Sequence, residues 1–133
     1  VGGADPYGWK ALRGSMGSTF RIPVARAPNQ EAISREATIR SWRVIATVPR
    51  GGTCLTEIDL REPCFLWLGS EGKGLDHEII NSADELLSVP MCEPVESLNL
   101  AVTAALIIYE AARQRTEFKP ETTDRANRRG RFA

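Results

Sequence analysis

Apolar positions along the chain fall into distinct patterns, and each predicts a different element. Residues 42–48, 64–68 and 86–89 are short apolar runs, stopped respectively by Pro49-Arg50-Gly51-Gly52, by Gly69 and by Pro90. Unbroken runs of this length are expected of strands buried on both faces of an α/β sheet. Helical spacing marks 9–16, where Trp9, Leu12 and Met16 share a side, and 27–41, where Ala32, Ile33, Ala37 and Ile39 supply a thin apolar stripe. Residues 75–87 also have helical character. The stretch 98–115 predicts a long helix that is apolar on nearly every face, so the sheet or a second subunit must cover it. Between the first two helical segments, 20–24 alternates as a strand does, with Pro23 confining it to an edge or a strand end. The opening 1–8 is turn-rich, and 116–133 is polar without apolar period. That tail is expected to be disordered in the absence of a partner.

A chain of 133 residues with 42% apolar side chains can bury one core but not two. The expected organisation is one α/β domain over 1–115 followed by a basic tail over 116–133. No long apolar run and no charged-then-apolar leader is present, which predicts a soluble, cytoplasmic protein with no membrane partner. Lys plus Arg and Asp plus Glu number 17 each, so no global field announces a polyanion partner. The distribution changes that picture. Residues 1–26 carry Lys10, Arg13, Arg21 and Arg26 against Asp5 alone, and from Arg113 onward seven basic side chains stand against three acids. A polyanion would therefore meet the ends of the chain. Cys54, Cys64 and Cys92 lack CxxC spacing and have one possible imidazole partner, His77. Neither a disulfide framework nor a metal site is expected, and the thiols read as small buried apolar groups.

Two loops stand out as candidate chemistry, because ligands of open α/β sheets settle at the carboxyl ends of the strands. Leu68-Gly69-Ser70-Glu71-Gly72-Lys73-Gly74-Leu75 combines three glycines, which permit close backbone approach, with a carboxylate just beyond a strand. It fits neither GxGxxG nor GxxxxGK[ST], so by itself it is either a turn or a ligand cradle. Val89-Pro90-Met91-Cys92-Glu93-Pro94-Val95-Glu96-Ser97-Leu98-Asn99 ends in a Ser-x-Asn pair at a helix start. Ser97 is either the helix N-cap or a site residue, and Asn99 either a first-turn polar residue or a second site residue. His77 reads as a solvated side chain rather than a base.

Together and in this order, the two loops resemble motifs two and three of the SpoU (TrmH-like, SPOUT) family of RNA 2'-O-ribose methyltransferases, whose usual forms look like LGSEGxGL and IPMxGxVESLNVxVAxAILLYE. The similarity runs on to Tyr109-Glu110. The opening Ala4-Asp5-Pro6-Tyr7 and Lys10-Ala11-Leu12-Arg13-Gly14-Ser15-Met16-Gly17 resembles the family's segment after its second strand, so the likeness covers about residues 2–115. One departure is Glu93-Pro94, where the family commonly has Gly.

This resemblance implies an α/β SPOUT-type domain with a mostly parallel sheet and a C-terminal trefoil knot that holds S-adenosylmethionine bent. It further implies a homodimer acting on tRNA or rRNA. By position, Gly69, Val89 and Leu98 match family cofactor contacts, with Thr47, Val48, Gly72 and Met91 as neighbours. Glu71, Ser97 and Asn99 match the catalytic positions, where they would orient the base, the cofactor and the ribose, and Arg13 and Ser15 are carried over as RNA contacts. Family members begin with a strand and a motif that supplies an Asn and an Arg, the Arg being the favoured base. That motif is not within these residues, so the 133 residues by themselves are expected to bind cofactor without transferring a methyl group. Two rivals remain: a non-catalytic fragment that binds cofactor or RNA and dimerises, and a base methylase of a related knotted family. Glu96-Ser97-Leu98-Asn99 is the ribose-methylase form, which disfavours the last.

Overall fold

A computed structural model describes residues 5–70 and 72–115. The predicted tail 116–133 and Glu71 lie outside the described residues. In chain order the elements are α1 (Trp9–Gly14), a 3-10 turn (Ser18–Phe20), α2 (Gln30–Ile39), β1 (Arg43–Thr47), β2 (Thr53–Cys54), β3 (Cys64–Trp67), α3 (His77–Ser82), β4 (Glu85–Ser88) and α4 (Leu100–Gln114). The strands form one parallel sheet in the order β2-β4-β1-β3, with Ile45 beside Leu66 on one side and Ala46 beside Leu86 on the other. Successive residues of a strand point to opposite faces. Ile45 and Ala46 are both fully buried, so both faces of β1 are covered, which explains its unbroken apolar sequence.

On the Ile45 face the core gathers Leu55, Ile58, Leu60, Leu87 and Ile107, with Leu66, Val89 and Ala111 packed against it. Leu60 and Leu87 are each worth about 1.5–3 kcal/mol by burial alone. The far end of α4 is fastened by polar contacts. Leu60 N donates to Gln114 Oε1 at 2.7 Å, Gln114 Nε2 donates to Ile58 O at 2.9 Å, and Arg115 Nε donates to Leu60 O at 2.9 Å. Because Leu60 precedes β3, this brace sets the C-terminus of α4 at the amino edge of the sheet. The helix therefore runs antiparallel to the strands for about 22 Å, and its N-terminus reaches their carboxyl edge.

Several expectations are corrected. Residues 20–24 form no strand: the chain makes the 3-10 turn and then runs on without a ladder partner, leaving Phe20 and Ile22 exposed. An alternating pattern needs a neighbouring strand to pair with, and Pro23 has no amide hydrogen to donate. The helix over 75–87 shrinks to α3, because Asp84 is drawn into the sheet. Its amide donates to Val44 O at 2.9 Å and its carboxylate accepts from Val44 N at 2.7 Å, which starts β4. The two-residue β2, paired to Leu87 and Ser88, was not expected. α1 stops at Gly14 with Trp9 and Met16 exposed, and Ile39 of α2 also faces solvent while Ala37 is buried. The cysteines are not buried as predicted: Cys54 and Cys64 are half-buried and Cys92 is exposed. No described helix is long and apolar enough to cross a membrane.

Candidate functional site

β1 is the point at which the sheet changes direction, since β3 lies on one side of it and the chain then crosses to lay β4 on the other. The loops leaving neighbouring carboxyl ends diverge there and open a crevice. The N-terminus of α4 closes it. The resulting cavity, about 470 Å³, is lined after β1 by Thr47, Val48 and Pro49, after β3 by the glycine loop, after β4 by Val89 and Met91, and at the helix by Ser97 to Leu100 with Thr103 and Ile107.

The glycine loop owes its shape to its composition. Ser70 N donates to Gly74 O at 3.1 Å and Gly74 N to Ser70 O at 2.9 Å, closing a tight reversal. Gly72 and Gly74 sit at φ +91° and +69°, a region that favours glycine. At Gly69 the constraint is space: a Cβ there would lie 2.6 Å from the carbonyl carbon of Gly74 and 2.8 Å from the Leu75 nitrogen, both backbone. The loop can thus fold onto the strand end only because residue 69 has no side chain.

At the helix the cap differs from one reading of the sequence. Asn99, not Ser97, is the N-cap: its Oδ1 accepts from Ala101 N at 2.9 Å and Val102 N at 3.3 Å. Ser97 stays two residues outside, exposed on the cavity wall. Thr47 lines the cavity too, but its hydroxyl is committed to Trp67 O at 3.1 Å, tying β1 to β3. No described lining residue carries an ionisable side chain, so the described wall offers apolar surface, amide groups and hydroxyls, with the positive end of the α4 dipole at one edge. Nor do three or more His, Cys, Asp or Glu of the described residues come together in a way that could hold a metal ion.

Of the residues singled out in the sequence, Thr47, Val48, Gly69, Gly72, Val89, Met91, Ser97, Leu98 and Asn99 all line this one cavity. Glu71 lies outside the described residues. Arg13 and Ser15 are at α1 and its C-cap and do not line it, and His77 is exposed at the start of α3. Sequence reasoning missed Thr103 and Ile107, although the spacing 99, 103, 107 is that of one helix face continuing inward from Asn99.

A family model described as the SpoU rRNA Methylase family matches residues 1–109. The chain belongs to the SpoU methylase family. Relatives include the uncharacterised tRNA/rRNA methyltransferase of Mycobacterium ulcerans, 41% identical over 105 residues that make up 79% of this chain and 34% of that protein. The corresponding protein of Mycobacterium tuberculosis is 42% identical over 105 residues, 79% of this chain and 33% of its own length. This SpoU-family chain thus spans about a third of the curated relatives it matches. Among solved structures, the AdoMet-bound rRNA methyltransferase from Sinorhizobium meliloti superposes with a TM-score of 0.79 at 34% identity, over 85% of this chain and 43% of that one. An RNA 2'-O ribose methyltransferase gives 0.78 at 31% identity, over 86% and 44%. The SpoU methyltransferase AviRb from Streptomyces viridochromogenes, in complex with AdoMet, gives 0.77 at 33% identity, over 84% and 46%.

Proposed function

We propose that this chain is the cofactor-binding part of an S-adenosylmethionine-dependent methyltransferase that modifies a ribose 2'-hydroxyl of tRNA or rRNA in the cytoplasm. The observation that carries the reading is the convergence of the SpoU motif residues around one cavity at the carboxyl ends of a parallel sheet. The AdoMet-bound relatives and the ribose methyltransferase among the structural neighbours support it.

The residues present fit the cofactor. A volume of about 470 Å³ lies within the usual range for small-molecule sites, and the lining is largely apolar with backbone exposed at the glycine loop. When bound, S-adenosylmethionine supplies a methyl group already activated on a sulfonium, which leaves alignment and exclusion of water to the protein. Val89, Met91 and Leu98 would exclude water, the backbone of the glycine loop would bond the polar edge of the adenosine, and Ser97 and Asn99 would orient the ribose at the mouth. Glu71 is our candidate for positioning the proton acceptor, in line with its place in the motif. The proposal includes the family's trefoil knot and a homodimer that covers Val102, Leu106, Ile108 and Tyr109, all exposed on α4. Sedimentation at the mass of one chain would remove the dimer from it.

One observation favours a second reading. Because no described lining residue is ionisable, these residues on their own would hold cofactor and dimerise without transferring a methyl group. Calorimetry with S-adenosylmethionine, followed by mapping of the modified atom on RNA treated with the protein, tests both. Binding by these 133 residues that is lost in Thr103→Trp, which fills the cavity, together with a 2'-O-methyl product from a longer protein that carries the Asn and Arg motif, is the expected outcome. Undiminished binding in that variant would overturn the placement, a methylated base would overturn the ribose assignment, and binding without any product even from the longer protein would favour the second reading.

A further inference from the structure

The segment 5–26 shows solvent what a core normally hides. Trp9, Phe20 and Met16 are 65%, 72% and 90% exposed, and Tyr7 and Ile22 are exposed with them. Isolated exposed apolar side chains are ordinary, but so many within residues 7–22 form a surface that asks for an occupant. Cations are interleaved with the rings: Lys10 Nζ lies 5.9 Å and Arg13 Cζ 5.5 Å from the centre of the Trp9 ring. Arg26 is paired with Asp5, whereas Lys10, Arg13 and Arg21 make no ion pair among the described residues.

The segment is held in place locally. After α1 the backbone passes through two successive left-handed residues, Met16 at φ 49° and Gly17 at φ 81°. Left-handed backbone is unfavourable for a non-glycine residue, and here the turn sets Phe20 beside the end of α1. The Thr19 hydroxyl donates to Ser15 Oγ at 2.9 Å, and Phe20 N donates to Gly17 O at 3.1 Å, which fixes the 3-10 turn against the helix. The Ser15 hydroxyl is itself spent on Leu12 O at 3.0 Å. Its polar capacity is therefore used inside the turn.

We infer that this surface is a platform for single-stranded RNA, on which Trp9 stacks an unpaired base while Lys10, Arg13 and Arg21 meet the flanking phosphates. Ser15 then acts as a brace for the platform and makes no contact with RNA. Charge decides between occupants. A second copy docked through the same patch would form an isologous interface, bringing Lys10, Arg13 and Arg21 of one copy against those of the other. A polyanion instead neutralises them and releases counterions. Unpaired bases have free ring faces to stack on an indole, and duplexed bases do not, which selects a single strand, a loop or an end. The inference rests on the proposed RNA methyl transfer and adds to it where, outside the cavity, the substrate is gripped.

The test is fluorescence anisotropy of the 133-residue chain with a labelled, unstructured oligoribonucleotide of mixed sequence and with the same sequence as a duplex. Trp9→Ala should weaken single-strand binding roughly tenfold while leaving its salt dependence unchanged. Trp9→Phe should restore most of the affinity. Lys10→Ala and Arg13→Ala should each lower the slope of log K against log salt by about 0.7. Duplex binding should be weaker and indifferent to Trp9. Unchanged single-strand affinity in Trp9→Ala, or no RNA binding at all, would overturn the platform. So would a change in self-association of Trp9→Ala by sedimentation, since the surface would then belong to a second copy. Calorimetry with S-adenosylmethionine on the same preparations separates the two proposals. Normal cofactor affinity beside an RNA affinity insensitive to Trp9 sinks the platform alone, while lost cofactor binding beside a Trp9-dependent RNA affinity sinks the methyl-transfer reading.

Discussion

The carboxyl edge of the sheet and the segment 5–26 both hold residues marked out by family resemblance, yet they are built in opposite ways. At the sheet edge, loops are pinned by strands anchored through the buried Ile45, Ala46 and Leu87, by Gly69 packed against its own loop, and by an α4 fastened at its far end through Gln114 and Arg115. In segment 5–26 the described hydrogen bonds are local, and the large side chains face outward. A preorganised cavity suits a small cofactor that must be aligned, because misplacement by an ångström is costly. An outward, cationic and aromatic surface suits a long polymer that is bound over many weak contacts. The two regions should therefore respond differently to the same kind of substitution.

The largest contrast is expected from side-chain truncation. Leu60 is 1% exposed, sits in the central cluster and belongs to the segment that braces α4, so Leu60→Ala should cost about 2–5 kcal/mol. Met16→Ala, at a side chain left in solvent, should change stability by less than about 0.5 kcal/mol. Urea melts of both variants check this. A Met16 variant as unstable as the Leu60 variant would mean that segment 5–26 packs against something and is not an open surface.

Next comes the addition of a single methyl group. A Cβ at Gly69 would lie 2.6 Å from backbone that cannot step aside, whereas at Gly14 it would meet nothing within 4 Å. Gly69→Ala should lose about 1–3 kcal/mol through overpacking and abolish cofactor binding with it. Gly14→Ala should be neutral or stabilising by about 0.4–1 kcal/mol, by restricting the unfolded chain. Thermal melts and calorimetry read both quantities. Wild-type cofactor affinity in Gly69→Ala would show that the glycine loop is a turn with no part in the site.

What was legible in the sequence follows the same division. Strands β1, β3 and β4 were visible as continuous apolar runs, although only β1 is buried on both faces while β3 is half-buried along its length, and the cavity loops were visible because glycines and the Ser-x-Asn pair punctuate strand ends. β2 was not, since two residues paired only to Leu87 and Ser88 leave no pattern of their own. The end of α3 was hidden for a related reason: the hydrogen bonds of Asp84 to Val44 span forty residues, and they override a local helical period. Alternation at 20–24 was real but had no partner strand to act on. At the site, Ser97 and Asn99 were both chemically able to cap α4, and only the backbone geometry distinguishes them.

The smallest expected effect concerns the brace that holds α4 over the cavity. Glu110 accepts from Arg113 at 2.6 Å and 2.8 Å and from Gln114 at 2.8 Å, and Gln114 in turn bonds Leu60 and Ile58. The hydrogen bonds from Arg113 first, and then from Gln114, pull the Glu110 carboxyl down from its ordinary 4.5 to about 2. A carboxylate depressed in the folded state stabilises the fold fully above its unfolded value. Below 4.5 the unfolded chain takes up a proton before the folded one does, so the contribution erodes as pH falls and is gone once pH passes about 2. Wild-type and Glu110→Gln chains should therefore differ in melting temperature at neutral pH, and the two curves should converge as the pH is lowered through that window. Arg113 is exposed while Glu110 is partly covered, so the difference should be modest and should shrink with added salt. Cofactor affinity at neutral pH should follow it in the same direction, because the cavity wall at Asn99 and Thr103 is carried by the helix that this brace anchors. Parallel melting curves across the whole range would show that Glu110 merely decorates the surface of α4, leaving Gln114 and Arg115 to hold the helix without it.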